Sequence, residues 1–186
     1  MPQQKTITLY DFYELDEEVK KKLISEFELD YQWDDPVIQM IEQEAEDSGI
    51  IDFDVRYSGF WSQGDGLSFT GILPESLVEK IYKENINSDG FGRTNPVFSV
   101  SFKRIGGPYV HEKTTSALIK DMSLERYEKY GDIVEDCYND WKDKKCNEWY
   151  HLLRDCYEAQ TSEEYIREHY QDLGSVFLKD GRVFWC

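Results

Sequence analysis

Carboxylates dominate the residues of this chain that could do chemistry. Asp30, Asp34, Asp35, Glu42, Glu44, Glu46 and Asp47 fall within residues 30–47, a stretch with no Lys or Arg. Neighbouring bases cannot neutralise such a run, and an unpaired acidic field repels nucleic acid and draws in cationic grooves. The ordinary alternative is a solvated helix surface, of the kind that Glu17–Lys21 and Glu18–Lys22 form at i,i+4 spacing. The second concentration of chemistry is Tyr57-Ser58-Gly59-Phe60-Trp61-Ser62-Gln63-Gly64-Asp65-Gly66-Leu67-Ser68. Successive N–H groups of a glycine loop can cradle phosphate. A nucleotide P-loop, however, needs a Lys followed by Ser/Thr and a helix behind it, and here the flanks predict strands on both sides. Gly64 and Gly66 are therefore expected to supply positive φ at a turn, with Phe60 or Trp61 filling the core. Tyr57, Trp61, Ser62, Gln63, Asp65 and Ser68 remain as a candidate ligand patch, an aromatic floor edged by hydrogen-bonding groups.

Other constellations are weaker. Asp52, Asp54, Asp65 and Asp89 do not make an Asp-x-Asp-x-Asp-Gly calcium loop. His111, His151 and His169 are far apart and belong to no HExxH pair. Cys137, Cys146 and Cys156 stand nine and ten residues apart and Cys186 is the last residue, spacings unlike those of a zinc site. No metal or cofactor is expected, no catalytic residue is assigned, and the cysteines are read as free, mostly buried thiols. A Cys–His nucleophile pair would have to converge in the fold.

The net charge of −17 is unevenly spread: residues 11–54 hold 16 acids and 3 bases, residues 55–122 hold 7 and 8, and residues 123–174 hold 14 and 7. A compact chain of this length has a radius of gyration of about 16 Å. Duplex DNA as long as its diameter carries about two dozen phosphate charges. Mimicry of nucleic acid thus requires the acids to cluster on one face, and residues 30–47 are the place to look. Hydrophobic residues at 40% against 32% charged predict a packed core in a single domain spanning 1–186. No apolar run is long enough to span a bilayer and Met1–Thr6 has no hydrophobic signal segment, so a cytoplasmic protein without membrane contact is expected.

The elements that must position these residues follow from periodicity. Asp16 caps an amphipathic helix through Val19, Leu23, Ile24, Phe27 and Tyr31. Asp35 with Pro36 caps a second helix that stops at Gly49. Phe53, Val55, Tyr57, Gly59 and Trp61 then alternate as a strand that turns at residues 63–66 and returns through Leu67, Phe69 and Gly71. A short helix from Pro74, a turn-rich loop Asn87–Gly92, and a second hairpin (Phe98, Val100 and Phe102, a Gly106-Gly107-Pro108 turn, a strand near Tyr109–Ala117) follow. Ser123 opens a long helical region in which Tyr127, Val134, Tyr138, Trp141, Trp149, Leu152, Leu153 and Cys156 make an interrupted apolar stripe, with a bend near Lys144-Lys145-Cys146. Thr161 and Glu164 form the capping box of another helix ending at Gly174. Asp180-Gly181 signals a type I′ hairpin with Val176, Leu178, Val183 and Trp185 on one face. The fold class is α+β: an antiparallel sheet built from hairpins, with helices packed mainly on one face.

The acidic opening Leu15-Asp16-Glu17-Glu18, the stretch Tyr31-Gln32-Trp33-Asp34-Asp35 and the Tyr57–Gly66 run resemble a family of phage and mobile-element proteins, some labelled antitoxin-like. The resemblance covers about the first 75 residues. Small acidic phage proteins often block host defences, including RNA-guided nucleases, so it implies an anti-defence inhibitor, anti-CRISPR proteins included, acting in the bacterial host cytoplasm. Its partner would be a host nucleic-acid-binding defence protein with a basic groove, or a basic toxin neutralised by the same electrostatics, with no direct binding of duplex DNA. The competing expectation is a nuclease or a small-ligand or nucleotide-binding protein at the Tyr57/Trp61/Gln63/Asp65 patch, which would need Arg56, Lys103, Arg104 or a metal to offset the negative field.

Overall fold

The computed structural model describes residues 6–85, 97–107 and 109–184. The expected loop Asn87–Gly92, and with it Asp89, lies outside the described residues, as do Pro108, Trp185 and Cys186. The chain divides into two compact units, residues 34–154 and residues 1–33 with 155–186, and the fold is α+β.

The 34–154 unit is built on an antiparallel sheet of order β2-β3-β4-β5, with β2 at Ile51–Tyr57, β3 at Leu67–Ile72, β4 at Ser99–Arg104 and β5 at Thr115–Lys120. The register Val55↔Phe69, Tyr57↔Leu67, Gly71↔Phe102 and Phe102↔Ala117 puts these side chains on one face. That face is covered by α2 (Asp35–Asp47), α3 (Glu75–Asn85) and α4 (Leu124–Gln160). Ile41, Ala45, Val78, Ile81, Tyr138, Trp149 and Leu153 join the sheet residues in one buried cluster. Phe69 meets Trp149 edge-on at 5.2 Å between centroids, and Trp141 stacks on Phe102 at 6.0 Å. The opposite sheet face carries Arg56, Thr70, Ser101, Lys103, Leu118 and Lys120 in register.

Three local expectations change in this unit. The last strand begins at Thr115, because residues 109–114 fold back as a strap ending in a 3₁₀ turn, Glu112–Thr114. The long helix is unbroken through Lys144–Cys146. Lys142, which interrupts the apolar stripe in sequence, is a core position: it is 1% exposed, and its ammonium donates to the carbonyls of Glu112 and Thr115, each at 2.5 Å, beside the Asp143 carboxylate at 2.9 Å. Trp61 leaves the strand and is 68% exposed, while Phe60 stacks on Tyr57.

The other unit holds β1 (Tyr10–Asp11), α1 (Glu17–Ser25), α5 (Glu163–Asp172) and β6 (Val176–Phe177). Phe12, Leu15 and Phe177 are its buried centre, with Val19, Leu23, Ile24, Tyr170 and Val183 around them. α1 stops at Ser25, short of the expected Tyr31; Phe27 packs edge-on to Tyr170 instead of continuing the helix, and Tyr31 is 95% exposed. α5 is capped by Ser162, whose Oγ accepts the Tyr165 N–H, because the Thr161 hydroxyl is committed to the Tyr157 carbonyl. The C-terminal hairpin closes through residues 179–181, with Gly181 at φ 87° and the Leu178 N–H bonded to the Arg182 carbonyl. This loop is one residue longer than a type I′ turn, and a one-residue slip exchanges strand faces. Phe177 opposite Val183 therefore faces the core, where Val176 and Leu178 were expected. β6 also pairs with β1, Tyr10 opposite Phe177.

Candidate functional site

The acidic run is divided by the fold. Asp30 lies in the 1–33 part of the chain, and the other six acids lie in the 34–154 unit. Asp34 sits at the N-terminus of α2, but its carboxylate accepts the Tyr57 hydroxyl at 2.6 Å rather than capping the helix. Burial, that hydrogen bond and the Asp34 charge raise the Tyr57 pKa above its ordinary value. Glu44 turns toward α4, where its two oxygens accept Trp149 Nε1 at 2.8 Å and Lys145 Nζ at 2.9 Å. Asp47 accepts from Gln43 at 3.0 Å. Asp35, Glu42 and Glu46 are exposed and make no ion pair among the described residues. At 3.6 residues per turn these three project within about 40° of one another over about 16 Å, with Glu44 on roughly the opposite side. Duplex DNA of that length carries about nine charges, so α2 alone forms an acidic ridge rather than a surrogate duplex.

The Tyr57–Gly66 loop is held by its own carboxylate. Asp65 Oδ2 accepts the N–H groups of Trp61 at 3.0 Å and Ser62 at 2.7 Å, while the Asp65 N–H returns to the Ser62 carbonyl. Gly66 N–H goes to Ser58 Oγ, and that hydroxyl donates to the Val110 carbonyl. Asp65 thus takes the Trp61 and Ser62 amides in the way a bound anion would. The glycines have separate causes. A Cβ at Gly59 would stand 3.1 Å from the Asp65 carboxylate. A Cβ at Gly66 would stand 2.7 Å from the Cβ of His111, and Gly64, at φ 93°, lies directly under the Tyr109 ring. Tyr150 completes the loop by donating its hydroxyl to the Gly59 carbonyl at 2.9 Å and packing on Phe60.

The six proposed patch residues do not share one surface. Tyr57 faces the helices, whereas Ser68, paired with Arg56, is fully buried on the other sheet face with its hydroxyl lacking a hydrogen-bond partner among the described residues. Trp61 and Ser62 are exposed on the loop. Gln63 and Asp65 instead line an open cleft of about 560 Å³ together with Gly64, Tyr109, His111, Glu112 and Lys113. The strap's contribution was invisible in the sequence because it comes from residues more than 40 positions downstream; the glycine pair was the signal that some segment approaches closely. His111 Nδ1 accepts the Lys113 N–H at 3.2 Å, and the Lys113 ammonium is ion-paired with Asp143.

A larger open groove of about 780 Å³ runs along α4 past Asp136, Asp140 and Trp141 to Asn85, where the described chain stops. No group of three or more His, Cys, Asp or Glu able to hold a metal ion is present among the described residues. Cys137, Cys146 and Cys156 are free. Burial pushes the Cys146 thiol up to about 12 and the Cys137 thiol up to about 11, so both stay protonated at neutral pH and are poor nucleophiles. No helix among the described residues is long and apolar enough to cross a membrane.

The sequence model of the family described as Domain of unknown function (DUF8835) matches residues 33–163. The chain belongs to that family. The DUF8835 match takes in α2, the glycine loop, the strap and all of α4, and thus every residue of the acidic ridge and the cleft. No curated protein matches the chain, and no solved structure does.

Proposed function

We propose that this DUF8835 protein is a binder without turnover that inserts the acidic ridge of α2 into a basic nucleic-acid groove of a host effector, as an anti-defence inhibitor would. The observation that carries the reading is that Asp35, Glu42 and Glu46 align on an exposed helix face with no compensating ion pair among the described residues. Such a ridge is attracted to a groove lined by Lys and Arg and gains affinity and on-rate from charge complementarity. The phage-like resemblance supports the biological setting, and an antitoxin would use the same electrostatics on a basic toxin.

The test is DNA cleavage by purified RNA-guided nucleases with and without the protein. Inhibition is expected, weakening as salt rises from about 0.1 to 0.5 M, and lost in Asp35→Lys/Glu42→Lys/Glu46→Lys with the fold unchanged by circular dichroism. Undiminished inhibition by the folded triple variant would overturn the ridge as the contact. The nuclease reading predicts cleavage of labelled RNA by the protein alone in magnesium; with the Trp61 and Ser62 amides held by Asp65, no such cleavage is expected.

A further inference from the structure

The cleft between the glycine loop and the strap has a composition that selects the sign of its ligand. Its carboxylates are Asp65, which spends one oxygen on the loop amides, and Glu112. Its ammonium, Lys113, is paired with Asp143, which offsets its charge. The hydrogen bond from Lys113 to Asp143, helped by the charges of Asp143, Glu112 and Asp140, raises the Lys113 pKa, as expected of a cation in a negative neighbourhood. Two loop N–H groups that could have received a phosphate, those of Trp61 and Ser62, are taken by Asp65. The aromatic wall is Tyr109, 59% exposed and fixed over Gly64, where no side chain intervenes. Gln63 adds an amide. His111 accepts the Lys113 N–H at Nδ1. Carboxylates beside an open aromatic face favour a flat, weakly hydrated cation, and guanidinium stacks on rings while donating to carboxylate oxygens.

We propose that this cleft is a receptor site for an arginine side chain, with the guanidinium over the Tyr109 ring and hydrogen-bonded to Glu112 and the free oxygen of Asp65. The inference deepens the reading of the protein as a binder of basic partners and takes from it the source of the arginine. In that setting the cleft would fix the register of a partner that the ridge on α2 attracts.

The experiment titrates the intact protein with N-acetyl-arginine amide and, separately, with the neutral isostere N-acetyl-citrulline amide, following backbone amide NMR signals. Saturable shifts at Gly64, Tyr109, His111 and Glu112 are expected for arginine, with Kd of about millimolar, and at least tenfold weaker binding for citrulline. Glu112→Gln and Tyr109→Ala should each weaken arginine binding about fivefold or more without changing the thermal midpoint. Equal affinity for citrulline, shifts located elsewhere, insensitivity to both variants, or no shift up to about 50 mM would each overturn the site. The ridge variant Asp35→Lys/Glu42→Lys/Glu46→Lys leaves the cleft intact. Arginine binding retained by that variant while nuclease inhibition is lost would locate the two contributions separately, and a wild-type protein that inhibits but binds no arginine would reject the cleft alone.

Discussion

Asp65 shows how one side chain can turn a ligand-like motif into a structural one. Its carboxylate occupies the place of an anion, accepting the Trp61 and Ser62 amides, and it crowds the space a side chain at Gly59 would enter. Asp65→Ala should therefore cost about 1–2 kcal/mol, the net scale for hydrogen bonds to a charged acceptor from amides that water can reach, measured by urea denaturation. Millimolar sulfate should restore part of the loss in that variant and none in the wild type, because only the variant has an open nest. Gly66→Ala should destabilise by about 1–3 kcal/mol through overpacking, since its methyl would press on His111 at both Cβ and backbone Cα. The need for glycine was legible in the sequence; the reason for Gly66 was not, because its neighbour arrives from a strap whose path depends on tertiary packing.

Among the elements, α4 is the one whose character was hidden by a single charge. Lys142 looks like a break in an apolar stripe, yet its ammonium finds two carbonyls and a carboxylate and ties the strap to the helix. Lys142→Met should cost about 3–5 kcal/mol, the range for removing one partner of a buried charged network, read from the denaturation midpoint. β2, β3, β4 and α2 were readable because alternating and 3.6-residue apolar patterns matched what the core demanded, whereas the two-residue β1 was too short to carry a pattern. The C-terminal hairpin was mis-registered because Asp180-Gly181 suits a three-residue loop as well as a two-residue one, and only the burial of Phe177 decides between them. Glu44 shows the same limit on α2, since its helix position marks it as flanking the core while its partners, Lys145 and Trp149, lie about a hundred residues away. Burial alone would raise the Glu44 pKa, but the hydrogen bonds from Lys145 and Trp149 and the Lys145 charge outweigh it and the net shift is downward. A carboxyl held low when folded stabilises above its unfolded pKa of about 4.3, and that contribution is lost as pH falls through the folded value. Glu44→Gln should accordingly flatten the acid limb of the stability profile below about pH 4.5, while a limb identical to wild type would show that the pair contributes nothing there.

At the scale of the whole molecule, a net charge of −17 implies self-repulsion that salt relieves. Raising salt from about 0.05 to 0.5 M shortens the Debye length roughly threefold, so the thermal midpoint should rise by a few degrees. The ridge variant, with three repelling acids reversed, should show a smaller rise; an equal rise would mean that Asp35, Glu42 and Glu46 do not add to the field. The margins of the four-stranded sheet carry one more consequence. At β5 the Ala117 N–H is already taken by Asn139 at 2.8 Å. At β2 the register is broken between Ile51 and Asp54, Asp52 adopts φ 53°, and the charged pair Asp54–Arg56 follows. Kinks and charges of this kind discourage a foreign backbone from zipping alongside. A captured peptide is therefore not expected to lengthen the sheet in the manner of strand donation, and its recognition must be read from side-chain chemistry rather than from borrowed main-chain ladders.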